Sequence, residues 1–291
     1  MRMKTILSWA GVIASAIVVP VAAQQAFTGR LSDSTCGVSH RAKAASSGGE
    51  GLTDRQCLLT CINALAKYVL VDEAGRVVPI ANQEAMGLPL YAGRPVKVTG
   101  DADGGAITVA RLEAIAAHLH LLHVMTNWRD TPGGRGFLPV AIDQARAAAL
   151  HAGLAAKATS VDEIKRQAAE ALQALDPAIE SQGADTSYGV RKAAAGALQH
   201  LDLAAKAEGA TPNITARAAE ASSSLSDAQR LVDEAVAAAQ RVRAASESGE
   251  AVARAVQLAA ITTRLAGESL PRALTAMNAM LEAEHLVGAP R

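Results

Sequence analysis

Apolar positions along the chain change their spacing near residue 115, and that change divides the sequence into two kinds of structure. Before it, short apolar runs at 27–31, 68–71, 77–81, 96–100 and 106–112 are separated by glycine and aspartate. Such runs, bounded by turn formers, are the signature of β-strands. Gly75 supplies the turn between the second and third runs, and the segment 101–105 reads as a tight hairpin that pairs the last two strands antiparallel. Pro79 has no N–H to donate, so it restricts the third run to a sheet edge. Thr53 and Gln56 stand three residues apart as a capping box, opening a helix whose face carries Leu58, Ile62 and Leu65. Five strands, with a short turn or helix near Asn82 to Leu90 between the third and fourth, predict a small closed or partly open barrel.

After Gly136 the apolar spacing alternates between four and three residues. Leu138, Ile142, Ala145, Ala149, Ala152 and Ala156 mark the first stripe, with Pro139 in a first turn where it is tolerated. Ser160 and Glu163 form a second capping box before Ile164, Ala168, Leu172 and Leu175, and Asp176 with Pro177 ends that helix. Val190, Ala194, Ala197, Leu201 and Ala204 make a third stripe. Thr211 then caps a long helix with Pro212 in its first turn, carried from Ile214 to Val242; further segments run from about Glu250 to Gly267 and restart near Leu270 and Pro271. The expected architecture is α+β, a small β-barrel followed by an all-α bundle. The boundaries are 1–23 for an export signal, 24–114 for the barrel, 115–136 for a junction and 137–291 for the Ala-rich helices.

Composition narrows the class of partners. The chain has 28 basic and 28 acidic residues and only 2% aromatics. Neither a basic face nor a stacking platform for nucleic acid is expected. Arg2 and Lys4 precede an apolar segment that ends at Val21, Ala22 and Ala23, the pattern of a cleaved secretory signal that leaves no stable transmembrane anchor. A periplasmic or secreted location follows, with an envelope protein or a small ligand as partner.

Chemistry concentrates in two places. Cys57 and Cys61 are one helical turn apart, and Cys36 and His40 have the same spacing, so three sulfurs and an imidazole are available for a tetrahedral zinc. An exported thiol also tends to oxidise. A disulfide from Cys36 to the helix, a metal site and a reactive thiol all remain open, because three cysteines cannot all pair within one chain. The second place is the run holding His118, His120 and His123, which His151 and His200 could join if their helices fold back on it. Packing roles and metal ligation are the alternatives there. Neither a metalloprotease motif, a haem-attachment motif nor a nucleotide loop is present, and no catalytic activity is inferred.

Residues 27–113 resemble small exported bacterial domains with an OB-like barrel. The resemblance is carried by Leu31, Ser32 and Asp33, by Ser34, Thr35, Cys36, Gly37 and His40, by the Cys57 and Cys61 pair, and by Ala92, Gly93 and 95–100. It implies a fold more than an activity. The segment from His123 to Trp128, with Asp130 to Gly134 and then Leu138 and Pro139, is similar to a region of exported bacterial helical proteins; the resemblance covers about 118–206, and such proteins carry additional histidines where this chain has Gln167, Glu170 and Gln173. The functional expectation is an exported binding or structural protein of the bacterial envelope, or alternatively a periplasmic metal-binding protein with a Cys3His site.

Overall fold

The structure is a computed structural model and describes residues 24–40, 52–179 and 188–286. The expected export signal, the Gly-Ser stretch at 44–51 and most of the connector after Pro177 lie outside the described residues.

Five strands form one antiparallel sheet: β1 (Gln25–Asp33), β2 (Tyr68–Val71), β3 (Val77–Pro79), β4 (Pro95–Asp103) and β5 (Ala106–Ala114), in the order β3-β2-β1-β4-β5. Val96 and Val98 alternate inward along β4 and join Leu31, Leu70, Ile107 and Val109 in a core that Leu58 closes from helix α1 (Asp54–Asn63). Period-two patterning therefore places one face of the sheet under the helix. Pro79 lies on the edge strand β3, where its missing N–H costs no ladder bond.

The sheet is open by strand pairing, not a closed barrel. Edges β3 and β5 meet at a single parallel bridge between Ile80 and Ile107. Beside it, the Asn82 side chain accepts from Val109 N–H and donates to Val109 C=O, both at 2.8 Å, so an amide side chain replaces a strand residue. Three-residue β3 is too short to extend that contact into a ladder.

Helix α2 (Ala116–Met125) follows the sheet, and its Ala117, Leu121 and Val124 are buried in the helical core. The remaining helices are α3 (Phe137–Lys157), α4 (Val161–Leu175), α5 (Val190–Lys206), α6 (Pro212–Ala244), α7 (Ser248–Arg264) and α8 (Leu270–Ala283). In α4, α5 and α6 the buried positions follow the expected stripes; in α3 they shift from Ala149 and Ala156, which are half-buried, to Ala148 and Ala155, and α7 buries Ala251, Ala255 and Leu258 while Val256 is exposed. The 33 residues of α6 span roughly 50 Å and give α4, α5, α7 and α8 a common wall. The expected restart at Pro271 is instead continuous, because a π-helical turn at Leu265–Ser269 joins α7 to α8. Proline cannot donate to the carbonyl four residues back, and the wider turn absorbs that loss.

Sheet and bundle meet through Lys97 of β4, which pairs with Glu208 at 2.5 Å, while the N–H of Ala117 at the start of α2 donates to the Glu208 C=O. A buried carboxylate, Glu284 after α8, collects hydrogen bonds from Thr211 at 2.5 Å, Asn213 at 2.8 Å and His118 at 3.0 Å. The network joins the end of α8 to the start of α6 and to α2. None of the described helices is long and apolar enough to cross a membrane.

Candidate metal centres

The cysteine cluster is built where β1 ends. Asp33 Oδ1 accepts from the backbone N–H of Thr35 and of Cys36, both at 2.9 Å, and so folds the chain back into a turn. Gly37, at φ +57°, continues that turn in a conformation an L side chain rarely adopts. The turn brings Cys36 over α1, whose start is held by the capping box of Thr53 and Gln56. Cys36 Sγ lies 3.7 Å from Cys57 Sγ and 3.6 Å from Cys61 Sγ.

Those distances bear directly on the chemistry. All three cysteines are free, so the expected disulfide staple from Cys36 to the helix is not formed. Two thiolates bound to one zinc at about 2.3 Å in tetrahedral geometry stand about 3.8 Å apart. The observed sulfur separations match that edge. Cys36 sits between the two helical sulfurs and is shared by both contacts.

His40 is buried beside them, and its protonation pattern can be derived. Ser32 Oγ–H donates to Gly37 C=O at 2.6 Å, leaving the oxygen to accept from His40 Nε2–H at 2.9 Å. The proton is thereby placed on Nε2, and Nδ1 keeps its lone pair. Among the described residues Nδ1 is buried with no hydrogen-bond partner, as is Asp33 Oδ2, 3.7 Å away. Burial, reinforced by the Arg30 charge, holds the His40 imidazole below its ordinary pKa and therefore neutral at pH 7. Burial also raises the thiols of Cys36 and Cys61, with the Asp33 carboxylate pushing in the same direction. In the absence of a cation these sulfurs stay protonated.

The four predicted ligands do not all fall in one set. Ligand atoms of Cys36, His40 and Cys57 lie within 4.8 Å of one another, and so do those of Asp33, Cys36 and Cys61. Two triads share Cys36. Asp33 was not among the expected ligands; its signal in the sequence was its place three residues before a cysteine, where an aspartate caps a turn and leaves one oxygen over.

No family model, no curated protein and no solved structure matches the chain.

The histidines divide differently from the sequence expectation. His120, His123 and His200 converge, their ligand nitrogens within 4.8 Å of one another. His120 and His123 come from one side of α2, and His200 comes from α5. His151 does not join them: its Nδ1 is 2.7 Å from Gln167 Oε1, so it is spent on a side-chain hydrogen bond between α3 and α4. His118 points away to Glu284. Burial lowers the pKa of His120 and His123, and burial plus the two neighbouring imidazoles takes His200 down to about 4. All three rings are neutral at pH 7, the form in which imidazole binds a metal.

The breaker-rich loop after α2 forms one wall of this triad. Trp128 N–H donates to Gly134 C=O, Thr131 Oγ1–H bonds the carbonyls of Trp128 and Arg135, and Arg135 pairs with Asp143 at 2.7 Å. Held this way, the Trp128 ring meets His123 and His200 at centroid distances of 4.8 and 4.9 Å. Phe137 stacks on His200 at 5.4 Å. The glycines at 133, 134 and 136 thus shape a self-bonded loop that orients an aromatic side chain.

Proposed function

We propose that the protein is an exported metal-binding protein of the bacterial cell envelope, with a thiolate and imidazole centre built from Cys36, His40, Cys57 and Cys61. Zinc is the cation this donor set favours, through its affinity for sulfur and neutral imidazole. The observation that carries the reading is the spacing of Cys36 Sγ from the other two sulfurs, 3.6 and 3.7 Å, beside a buried His40 Nδ1 that has no hydrogen-bond partner among the described residues. Cys36, His40 and Cys57 provide the first three ligands, and rotation of the Cys61 side chain on the same face of α1 supplies the fourth. Asp33 Oδ2 adds negative charge beside the site. Export is supported by the basic start and apolar run of residues 1–23. In an oxidising compartment, a bound cation would also protect the thiols from oxidation. We read the sheet as a partly open OB-like barrel, with the Ile80 to Ile107 bridge at its seam.

Cobalt substitution tests the centre. Co2+ added to the metal-free protein should give the near-ultraviolet charge-transfer absorption of thiolate ligation, and zinc should displace it. Cys36→Ser, which removes the sulfur common to both triads, should abolish that absorption. Absence of the band in the reduced wild-type protein, or its persistence in Cys36→Ser, rejects the assignment.

A further inference from the structure

The histidine triad satisfies different chemistry from the cysteine cluster, and its own hydrogen-bonding arithmetic shows what it lacks. His200 Nδ1 lies 3.0 Å from His120 Nδ1 and 3.4 Å from His123 Nδ1. An imidazole nitrogen carries either one proton or one in-plane lone pair, so His200 Nδ1 can form at most one of these contacts as a hydrogen bond. The other places two nitrogens together with nothing between them. A cation that accepts one lone pair from each ring resolves all the contacts at once. Metal–nitrogen bonds of about 2.0 to 2.1 Å put neighbouring ligand nitrogens about 2.9 to 3.4 Å apart, for angles between square and tetrahedral. Both measured separations fall in that interval.

The surroundings say what kind of site it is. Three neutral imidazoles bring no negative charge, so a divalent ion held by them keeps its full charge and remains a strong Lewis acid. Trp128 and Phe137 pack against the triad. A cavity of about 330 Å³ reaches it at His123 and is lined further by Asn127, Trp128, Arg129 and Gly134. Structural zinc sites close all four positions with protein ligands, whereas sites that meet a substrate or an exogenous ligand keep one open. The described residues supply three.

We propose that His120, His123 and His200 form a second metal centre, separate from the cysteines, which binds a divalent transition-metal ion of zinc or copper type and leaves a coordination position open to the cavity beside Trp128. That position takes water or a small anion, with Arg129 at the cavity wall favouring the anion. The inference does not rest on the cysteine assignment, since it uses neither sulfur nor any residue of the sheet.

The test uses tag-free full-chain protein in which Cys36, Cys57 and Cys61 are all replaced by serine, so the two sites report separately. Co2+ should bind one equivalent, with visible absorption and no thiolate charge-transfer band. Adding azide to this cobalt form should shift the visible spectrum by entering the open position. In the same background, His200→Gln and, separately, His123→Gln should each weaken Co2+ binding by more than about 100-fold, exceeding the loss typical of an outer-shell partner. Circular dichroism confirms that each variant is folded. The proposal is overturned if the cysteine-free protein binds no Co2+, if folded glutamine variants bind as well as their parent, or if azide leaves the spectrum unchanged.

Discussion

At the residue scale, the proposed cysteine centre should depend on a side chain that reaches it only through His40. Ser32 is fully buried in β1, and its hydroxyl fixes which nitrogen of His40 carries the proton. Ser32→Ala removes that acceptor while leaving a smaller side chain in the strand. The imidazole can then turn or change tautomer, and zinc affinity should fall by about 10- to 100-fold, the usual consequence of losing an outer-shell partner. Competition with a chromophoric chelator measures this. Ser32→Thr, which keeps the hydroxyl, should retain most of the affinity; equal loss in both variants would show that packing, not the hydrogen bond, is responsible. The sequence displayed Cys36, His40, Cys57 and Cys61 at suggestive spacings. Ser32 and Asp33 gave no periodic signal of a role at the site; only the place of Asp33 three residues before Cys36 pointed to a turn cap.

At the element scale, the close contact between α3 and α5 supports the histidine triad. Gly196 precedes His200 by one helical turn and so shares its face. A Cβ built on Gly196 would lie 2.4 Å from the Phe137 ring, which is itself held between Trp128 and His200. The ring is buried and flanked by both neighbours, so it has little room to give. Gly196→Ala should therefore destabilise the bundle by about 1 to 3 kcal/mol, the scale of overpacking in a filled core, even though alanine is the better helix former. Urea unfolding of the two proteins checks this, and an unchanged or higher midpoint would contradict the packing account. The same variant should disturb Co2+ binding at the triad, because the displaced ring lies against His200.

On the scale of the whole molecule, the carboxylate of Glu284 ties the chain's last described helix to α2 and α6. Burial alone would raise its pKa, but hydrogen bonds from His118, Thr211 and Asn213 together hold it below the ordinary carboxylate value. A depressed folded-state pKa contributes stability that is complete above the unfolded value and is lost as pH falls through the folded one. Metal-free protein should accordingly lose unfolding free energy on acidification below about pH 4.3, the ordinary glutamate value. Glu284→Gln keeps the shape but has no charge to lose, so its stability profile should be flatter over this acid range. Superimposable acid limbs for the two proteins would remove Glu284 from the account.

What the sequence by itself determined is mostly local. Strand and helix positions follow from the two apolar periods, and Thr53, Ser160 and Thr211 announce three helix starts whose caps are formed. Candidate ligands were legible because cysteine and histidine are few and chemically distinct. Tertiary structure decided which of them meet. His151 and His200 are alike in sequence, each on an Ala-rich helix, yet the packing of α5 on α2 gives His200 to the triad and leaves His151 with Gln167. Whether the sheet closed was also a long-range matter, settled by the shortness of β3 and by one bridge from Ile80 to Ile107. The stretch 115–136, which reads as a joint between domains, is where the difference is greatest. Its histidines acquire a chemical setting only when α5 brings an imidazole against them and the following loop folds Trp128 over the result. Local periodicity reports which face of an element is buried; it contains no information on which two buried faces come together.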